Sequence, residues 1–226
     1  MVIDAHVHPV FAGMPIHPGL DQLSQAYYGR DAARLSLAEF IAELDRAAVD
    51  KAVLLTAVWK NQPVRQRNEA TAELVKLQSD RFIGFGSFDP NAGKDAVSEV
   101  AYAIEQLGLS GIKIIAQNVE VPYSDPRFYP AYDKIQELGV PAIFHTGPSF
   151  LHTRTKYWSV NALEDIALDF PRMKMILAHL GMQAYMDVHS LLVRHPNVYA
   201  DLSFWPLNPR YRGLIPWSLL EQTVPR

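Results

Sequence analysis

The chain of 226 residues contains no cysteine. Disulfides therefore contribute nothing to its fold, and thiolates neither bind a metal nor attack a substrate. A cysteine-free composition suits a reducing cytoplasm. No apolar run approaches the ~20 residues that cross a bilayer. Asp4 and His6 interrupt the first apolar run, where a signal peptide would need an unbroken one. Basic clusters are missing as well: the formal net charge is −3 and Lys and Arg are dispersed, which argues against a nucleic-acid partner or an anionic membrane surface. No glycine-rich phosphate loop follows the first strand, so a nucleotide-binding sheet lacks its fingerprint. These absences point to a cytoplasmic globular protein, with no nucleic acid and no membrane expected among its partners.

What is present is ordinary globular material, 49% apolar and 20% charged, enough for one sizeable core. Seven short apolar runs read as strands: Val2 to Val7, Ala52 to Val58, Phe82 to Phe88, Gly111 to Ala116, Val140 to His145, Met173 to His179 and Asn197 to Ser203. Amphipathic stretches separate them. Ser36 and Glu39 form a capping box at the start of one helix, Gly108 and Gly139 stop two others, and Pro171 ends a fourth. From the second strand on, the repeat is roughly 25 to 35 residues, the size of a βα unit. Runs without strict alternation point to strands covered on both faces, hence a parallel sheet. A doubly wound open sheet and a (β/α)8 barrel both satisfy this pattern.

Four of the eight histidines lie at strand ends. His6 and His8 close the first strand, His145 the fifth and His179 the sixth. Each strand end is followed by Pro9 or a glycine that breaks extended structure. In a parallel sheet all C-terminal strand ends lie on one face, and in a barrel that face carries the active site. Side chains two apart on a strand point the same way, so Asp4, His6 and His8 share one face and both imidazoles can reach one ion. A single histidine at a strand end is ordinarily a hydrogen-bonded core residue; four on three strands are not. His17 and His152 fall in loops after strand ends, and His189 and His195 fall on or after a helix remote from that face, where surface positions are expected.

The stations VIDAHVH, IFHTG, ILAHLG and NVYADLS, with GIKI, DRFIGFGSFDP and DFPRMKMILAHLG between them, resemble the amidohydrolase superfamily. The likeness is to its amidohydrolase 2 branch, that of aminocarboxymuconate-semialdehyde decarboxylase and related metal-dependent hydrolases. The resemblance implies an α/β fold of (β/α)8 TIM-barrel type. Strands one to seven are then present, and the eighth βα unit is missing from this sequence. On that reading residues 1–226 form a single hydrolase-like barrel domain, C-terminally incomplete. Its first and seventh strands are left as edges that a homo-oligomer would cover.

The resemblance also assigns roles. His6, His8 and His145 match the metal ligands, and His179 matches the histidine that positions or deprotonates the metal-bound water. One divalent ion is implied, zinc first, with manganese, cobalt or iron on the same donors. The family's aspartate at the end of strand eight has no counterpart here, and Asp201, in strand seven, does not match it and receives no role. Lys113 on strand four corresponds in some relatives to a carboxylated, metal-bridging lysine. Here it is read as structural or as facing an anionic substrate beside a mononuclear site.

Phe11, Met14, Trp59 and Trp205 are candidate apolar walls for the substrate, and Arg154 and Lys156 candidate carboxylate binders in loops after the strands. The expected reaction is hydrolysis of an amide, ester or lactone of a small carboxylic or aromatic substrate. Non-oxidative decarboxylation on the same ligands is the alternative, and a non-catalytic binding barrel the third reading.

Overall fold

A computed structural model describes residues 1–9, 19–29, 31, 34–60, 62–147 and 153–205. Phe11, Met14, His17 and His152 lie outside the described residues. In chain order the elements are β1 (Ile3–Val7), α1 (Gly19–Tyr28), α2 (Leu37–Arg46), β2 (Lys51–Leu55), α3 (Val64–Leu77), β3 (Phe82–Gly86) and α4 (Lys94–Ala101). There follow β4 (Gly111–Ile114), α5 (Ala116–Val119), α6 (Tyr129–Leu138), β5 (Ala142–Phe144), α7 (Asn161–Asp169), β6 (Met175–Leu177), α8 (Tyr185–Arg194) and β7 (Val198–Ala200). The capping box predicted at α2 is formed. Ser36 Oγ accepts from the Glu39 N–H at 3.2 Å, and Glu39 Oε2 accepts from the Ser36 N–H at 2.7 Å. Gly139 ends α6 at φ +66°. No helix among the described residues is long and apolar enough to cross a membrane.

All seven strands are parallel and pair in chain order, β1 to β7. A doubly wound sheet reverses its order at a switch point; this one never does, and it curls instead into an incomplete barrel. Among the described residues there is no eighth strand, so β1 and β7 are the sheet's edges there; Ile3 and Tyr199 on them, and Val2 just before β1, are exposed.

Alternation along the strands divides the core in two. Val53, Leu55, Ile83, Phe85, Ile143 and Ile176 pack together inside the curl. Their neighbours Leu54, Phe82, Ile112, Phe144 and Leu177 face the helices. Lys113 is in register with Ile143, so its side chain points inward, where it is wholly buried. On β1, Val7 packs against the α2 side, which puts His6 and His8 on the inner face. The sixth strand is shorter than its apolar run suggests. It stops at Leu177, and His179 lies beyond it in a left-handed turn.

Candidate metal centre

The curl brings the four strand-end histidines together. Ring centroids lie 5.3 Å apart for His6 and His8, 4.7 Å for His6 and His179, and 4.9 Å for His145 and His179. His8 Nδ1 lies 3.1 Å from the Leu55 carbonyl on β2. A carbonyl only accepts, so Nδ1 carries the proton and Nε2 keeps its lone pair. The same reasoning fixes His179, whose Nδ1 is 3.1 Å from the Ser203 carbonyl. His145 Nε2 is buried with no protein partner. Lys113 Nζ stands 3.3 Å from His6 Nε2.

Asp201, the first residue after β7, is the functional candidate that sequence reasoning passed over. Its Oδ2 lies 2.8 Å from His6 Nδ1. Its Oδ1 accepts from the His179 N–H at 2.9 Å and the Ser203 N–H at 3.0 Å. The residue does not fit the strand-eight pattern of the resemblance, which leaves it without a role in the sequence. Its signal was the one that picked out the histidines, a polar side chain at the C-terminal end of a parallel strand.

His179 to Met182 all have positive φ (60°, 46°, 71° and 52°). For residues other than glycine each such conformation costs about 1–3 kcal/mol, so side chains must hold the turn. The His179 N–H is bound by Asp201, the His179 carbonyl accepts from the Trp205 indole, and the Ala178 carbonyl accepts from Thr146 Oγ1. At Gly181 (φ +71°) a Cβ would come within 2.6 Å of Val188 Cγ2. This position needs glycine for both its backbone and its close approach to α8.

The electrostatics favour neutral rings. Burial, and then the neighbouring charge of His6, take His179 down to about 3, against a smaller opposing effect of Asp201. Burial, and then His179 and Lys113, push His145 well below the usual imidazole range. Burial and Lys113 also lower His6. Burial takes the Lys113 ammonium down to about 7, partly offset by Asp201. Burial opposes ionisation of Asp201, but the hydrogen bond and charge of His6, then His179 and Ser203, hold its carboxyl well below the usual carboxylate range. At neutral pH the centre is thus a set of uncharged imidazoles beside a carboxylate. Imidazole binds metal in that form.

These residues fit a divalent cation. His6, His179 and Asp201 each offer a donor atom within 4.8 Å of the others. The orphaned His145 Nε2 is the kind of buried atom that a ligand satisfies. Nitrogen and carboxylate donors without thiolates suit zinc, manganese, cobalt or iron.

The other candidates fall in different places. Trp205 is buried, with its indole N–H on the His179 carbonyl. Trp59 is half-buried under the Arg67 guanidinium, 4.8 Å from the ring centroid. Arg154 and Lys156 are exposed. His189 lies on α8 and is half-buried, and His195, just after that helix, is buried rather than at the surface. Glu164 of α7 takes its Nε2 at 3.2 Å and shields it.

A family model described as Amidohydrolase matches residues 3–225. The 2-amino-3-carboxymuconate-6-semialdehyde decarboxylase of Dictyostelium discoideum is 29% identical over 115 residues, 46% of this chain and 32% of that protein. The chain therefore spans about a third of the length of this curated relative. An uncharacterised TIM-barrel protein from Bordetella bronchiseptica superimposes with a TM-score of 0.78 at 19% identity, covering 95% of this chain and 79% of its own. A 5-carboxyvanillate decarboxylase from Novosphingobium aromaticivorans, with bound manganese, superimposes with a TM-score of 0.55 at 20% identity, covering 70% of this chain and 54% of its own. At these identities the two structures speak for the fold alone.

Proposed function

Because the chain belongs to the amidohydrolase family, we propose that it forms the site of a metal-dependent enzyme acting on a small carboxylated substrate. Non-oxidative decarboxylation of an aromatic or unsaturated acid is the leading reaction. The observation that carries the proposal is the convergence of His6, His8, His145 and His179, from three separate strands, on one inner rim. Hydrolysis came first from sequence. The decarboxylases among the similar proteins move the other reaction ahead.

In this reading His6, His8 and His145 hold the ion, zinc or manganese. A divalent ion there supplies Lewis-acid polarisation of the substrate's oxygens. Lys113, buried beside His6, offers a cationic partner for a carboxylate. Loss of CO2 replaces a C–C bond by a C–H bond, so a proton must reach that carbon. His179 has Nδ1 occupied by Ser203, which leaves its unprotonated Nε2 to take a proton from water and pass it to that carbon. Trp205 and Phe11 are proposed as apolar walls of the substrate space. The family's own description keeps a second reading, hydrolysis of an amide, ester or lactone with His179 as the proton acceptor.

The test starts with metal. Purified protein incubated with zinc or manganese and then desalted should retain one equivalent, and His6→Ala should lose both the ion and any turnover. Captured CO2 from carboxylated aromatic and unsaturated acids identifies a decarboxylase. Proton release from lactones, esters or amides in weak buffer identifies a hydrolase. Failure of the wild-type chain to retain either ion would end the metal-dependent reading. Retention of metal without turnover on either panel would favour a binding barrel.

A further inference from the structure

We propose that Asp201 and Ser203, the two polar residues directly after β7, are a positioning pair that sets the orientation and tautomer of both His6 and His179. The inference rests on reading the histidine cluster as a metal centre, and it assigns these two residues a place outside the ligand set.

The argument begins with the carboxylate's partners. Asp201 Oδ1 accepts from the His179 N–H, the Ser203 N–H and the Ser203 hydroxyl, and Oδ2 lies 2.8 Å from His6 Nδ1. An ionised carboxylate only accepts, so the His6 proton sits on Nδ1 and its Nε2 is left with a lone pair. Ser203 extends the chain to the second ring. Its Oγ lies 2.8 Å from His179 Nδ1 and its proton goes to Asp201, so Oγ accepts from His179 Nδ1–H, a proton it shares with the Ser203 carbonyl at 3.1 Å. The run is continuous: His179 Nδ1–H to Ser203 Oγ–H to Asp201, and His6 Nδ1–H to the carboxylate's other oxygen. Both imidazoles thereby keep Nε2 unprotonated, the form a metal or a proton needs.

Asp201 is near enough to His6 and His179 to be counted as a ligand itself. Its hydrogen bonds argue against that role. Both oxygens already accept from donors of the protein, two of them backbone N–H groups. A carboxylate that orients a ligating imidazole through the far nitrogen is a recurrent outer-shell arrangement, and its loss weakens metal binding by about 10- to 100-fold. Here it has a second task. β1 and β7 do not pair, and the His6–Asp201 contact joins their C-terminal ends across the seam.

Asparagine at 201 is the sharpest probe. An amide offers one accepting oxygen and one donating nitrogen. The backbone N–H groups of residues 179 and 203 hold the oxygen on their side, so the amide nitrogen faces His6 and forces its proton to Nε2.

The experiment is long-range 15N–1H NMR of histidine rings in the metal-free full chain at neutral pH, with cobalt titration followed in the visible spectrum. Wild type should show protonated Nδ1 on His6 and His179. Asp201→Asn should switch His6 to the Nε2–H tautomer and weaken cobalt binding by about 10- to 100-fold. Ser203→Ala should leave His179 Nδ1 protonated on the residue-203 carbonyl but move its ring N–H resonance upfield as the shorter of its two bonds is lost, with His6 unchanged. Ser203→Thr should restore the wild-type pattern. An unmoved His179 resonance in Ser203→Ala would remove Ser203 from the pair. A proton on His6 Nε2 in wild type would overturn the proposal. So would an unchanged His6 tautomer in Asp201→Asn. If that variant does not fold, the wild-type pattern and the Ser203 pair decide. Cobalt binding by wild type tests the metal reading separately. Should wild type bind none while the tautomers follow the expected pattern, the metal reading falls and the positioning pair stands.

Discussion

The two flanks of the histidine cluster are secured by different kinds of bond. On one flank the sheet itself does the placing. The His145 N–H bonds the Ile114 carbonyl at 2.9 Å in the β4–β5 ladder, and His8 Nδ1 leans on the Leu55 carbonyl of β2. On the other flank, His6 and His179 depend on one short segment. Asp201, Ser203 and Trp205 supply their partners, because β1 and β7 are edges with no ladder between them. Where strands pair, placement is shared among many backbone bonds. Where they do not, a few side chains carry it, and single substitutions should expose the difference.

The largest effect is expected from Asp201→Ala. It strands His6 Nδ1, two backbone N–H groups and a hydroxyl at a centre where the His6 and Asp201 side chains are only 4% and 11% exposed. An unmade buried hydrogen bond costs about 1–3 kcal/mol, and this substitution leaves several unmade at once. Urea denaturation should show a loss of about 3 kcal/mol or more. A loss below about 1 kcal/mol would mean that the seam does not depend on the carboxylate.

Acid should come next. His179 takes up its proton at about 3 when folded, against ~6.5 unfolded. Above ~6.5 the stability contributed by the neutral ring is fully present. As pH falls below that value the unfolded chain binds a proton that the folded one refuses, and stability drops by about 1.4 kcal/mol per pH unit for each such proton. The loss continues until pH reaches about 3, where the folded ring protonates too. Asp201 acts in the same direction at lower pH, since its folded pKa is depressed. Melting temperatures of the metal-free protein should therefore fall steadily below neutrality. His179→Gln should flatten that slope by about one proton's worth.

The same division decides what the sequence disclosed. The histidines at the ends of β1 and β5 were legible, whichever flank they hold, because their signals are local. His145 ends an apolar run before Thr146-Gly147, and His6 and His8 alternate before Pro9, so strand order alone carries them to one rim. Lys113 was placed on the right strand, and its register with Ile143 turns it inward. The seam-held flank was less legible. Nothing local marks His179, Leu180 and Met182 as left-handed, since none is glycine and the turn is held by partners more than 20 residues away in sequence. Asp201 and Ser203 repeat the i, i+2 spacing of His6 and His8, but an aspartate past a strand end reads as a turn residue until its partners are seen. His195 failed for the same reason, its shield being Glu164 on another helix.

The smallest effects come from a matched pair that isolates the two flanks. Tyr123 donates its hydroxyl to the His145 carbonyl at 2.7 Å, and Trp205 donates its indole N–H to the His179 carbonyl. Tyr123→Phe and Trp205→Phe each remove one donor to one histidine's carbonyl, at positions that are both buried. A single such bond contributes about 1 kcal/mol, so denaturation should show comparable modest losses, somewhat greater at Trp205 because the smaller ring also leaves space. Metal affinity should separate the two. His145 keeps its ladder bond to Ile114, and its ring should not move when the hydroxyl goes. His179 sits at φ 60° in a turn held by side chains, and with its carbonyl released the turn can relax and carry the ring away. Cobalt should bind Tyr123→Phe as it binds wild type and bind Trp205→Phe several-fold more weakly. Equal affinities in the two variants would show that Asp201 and Ser203 suffice to hold His179 and that Trp205 contributes packing alone.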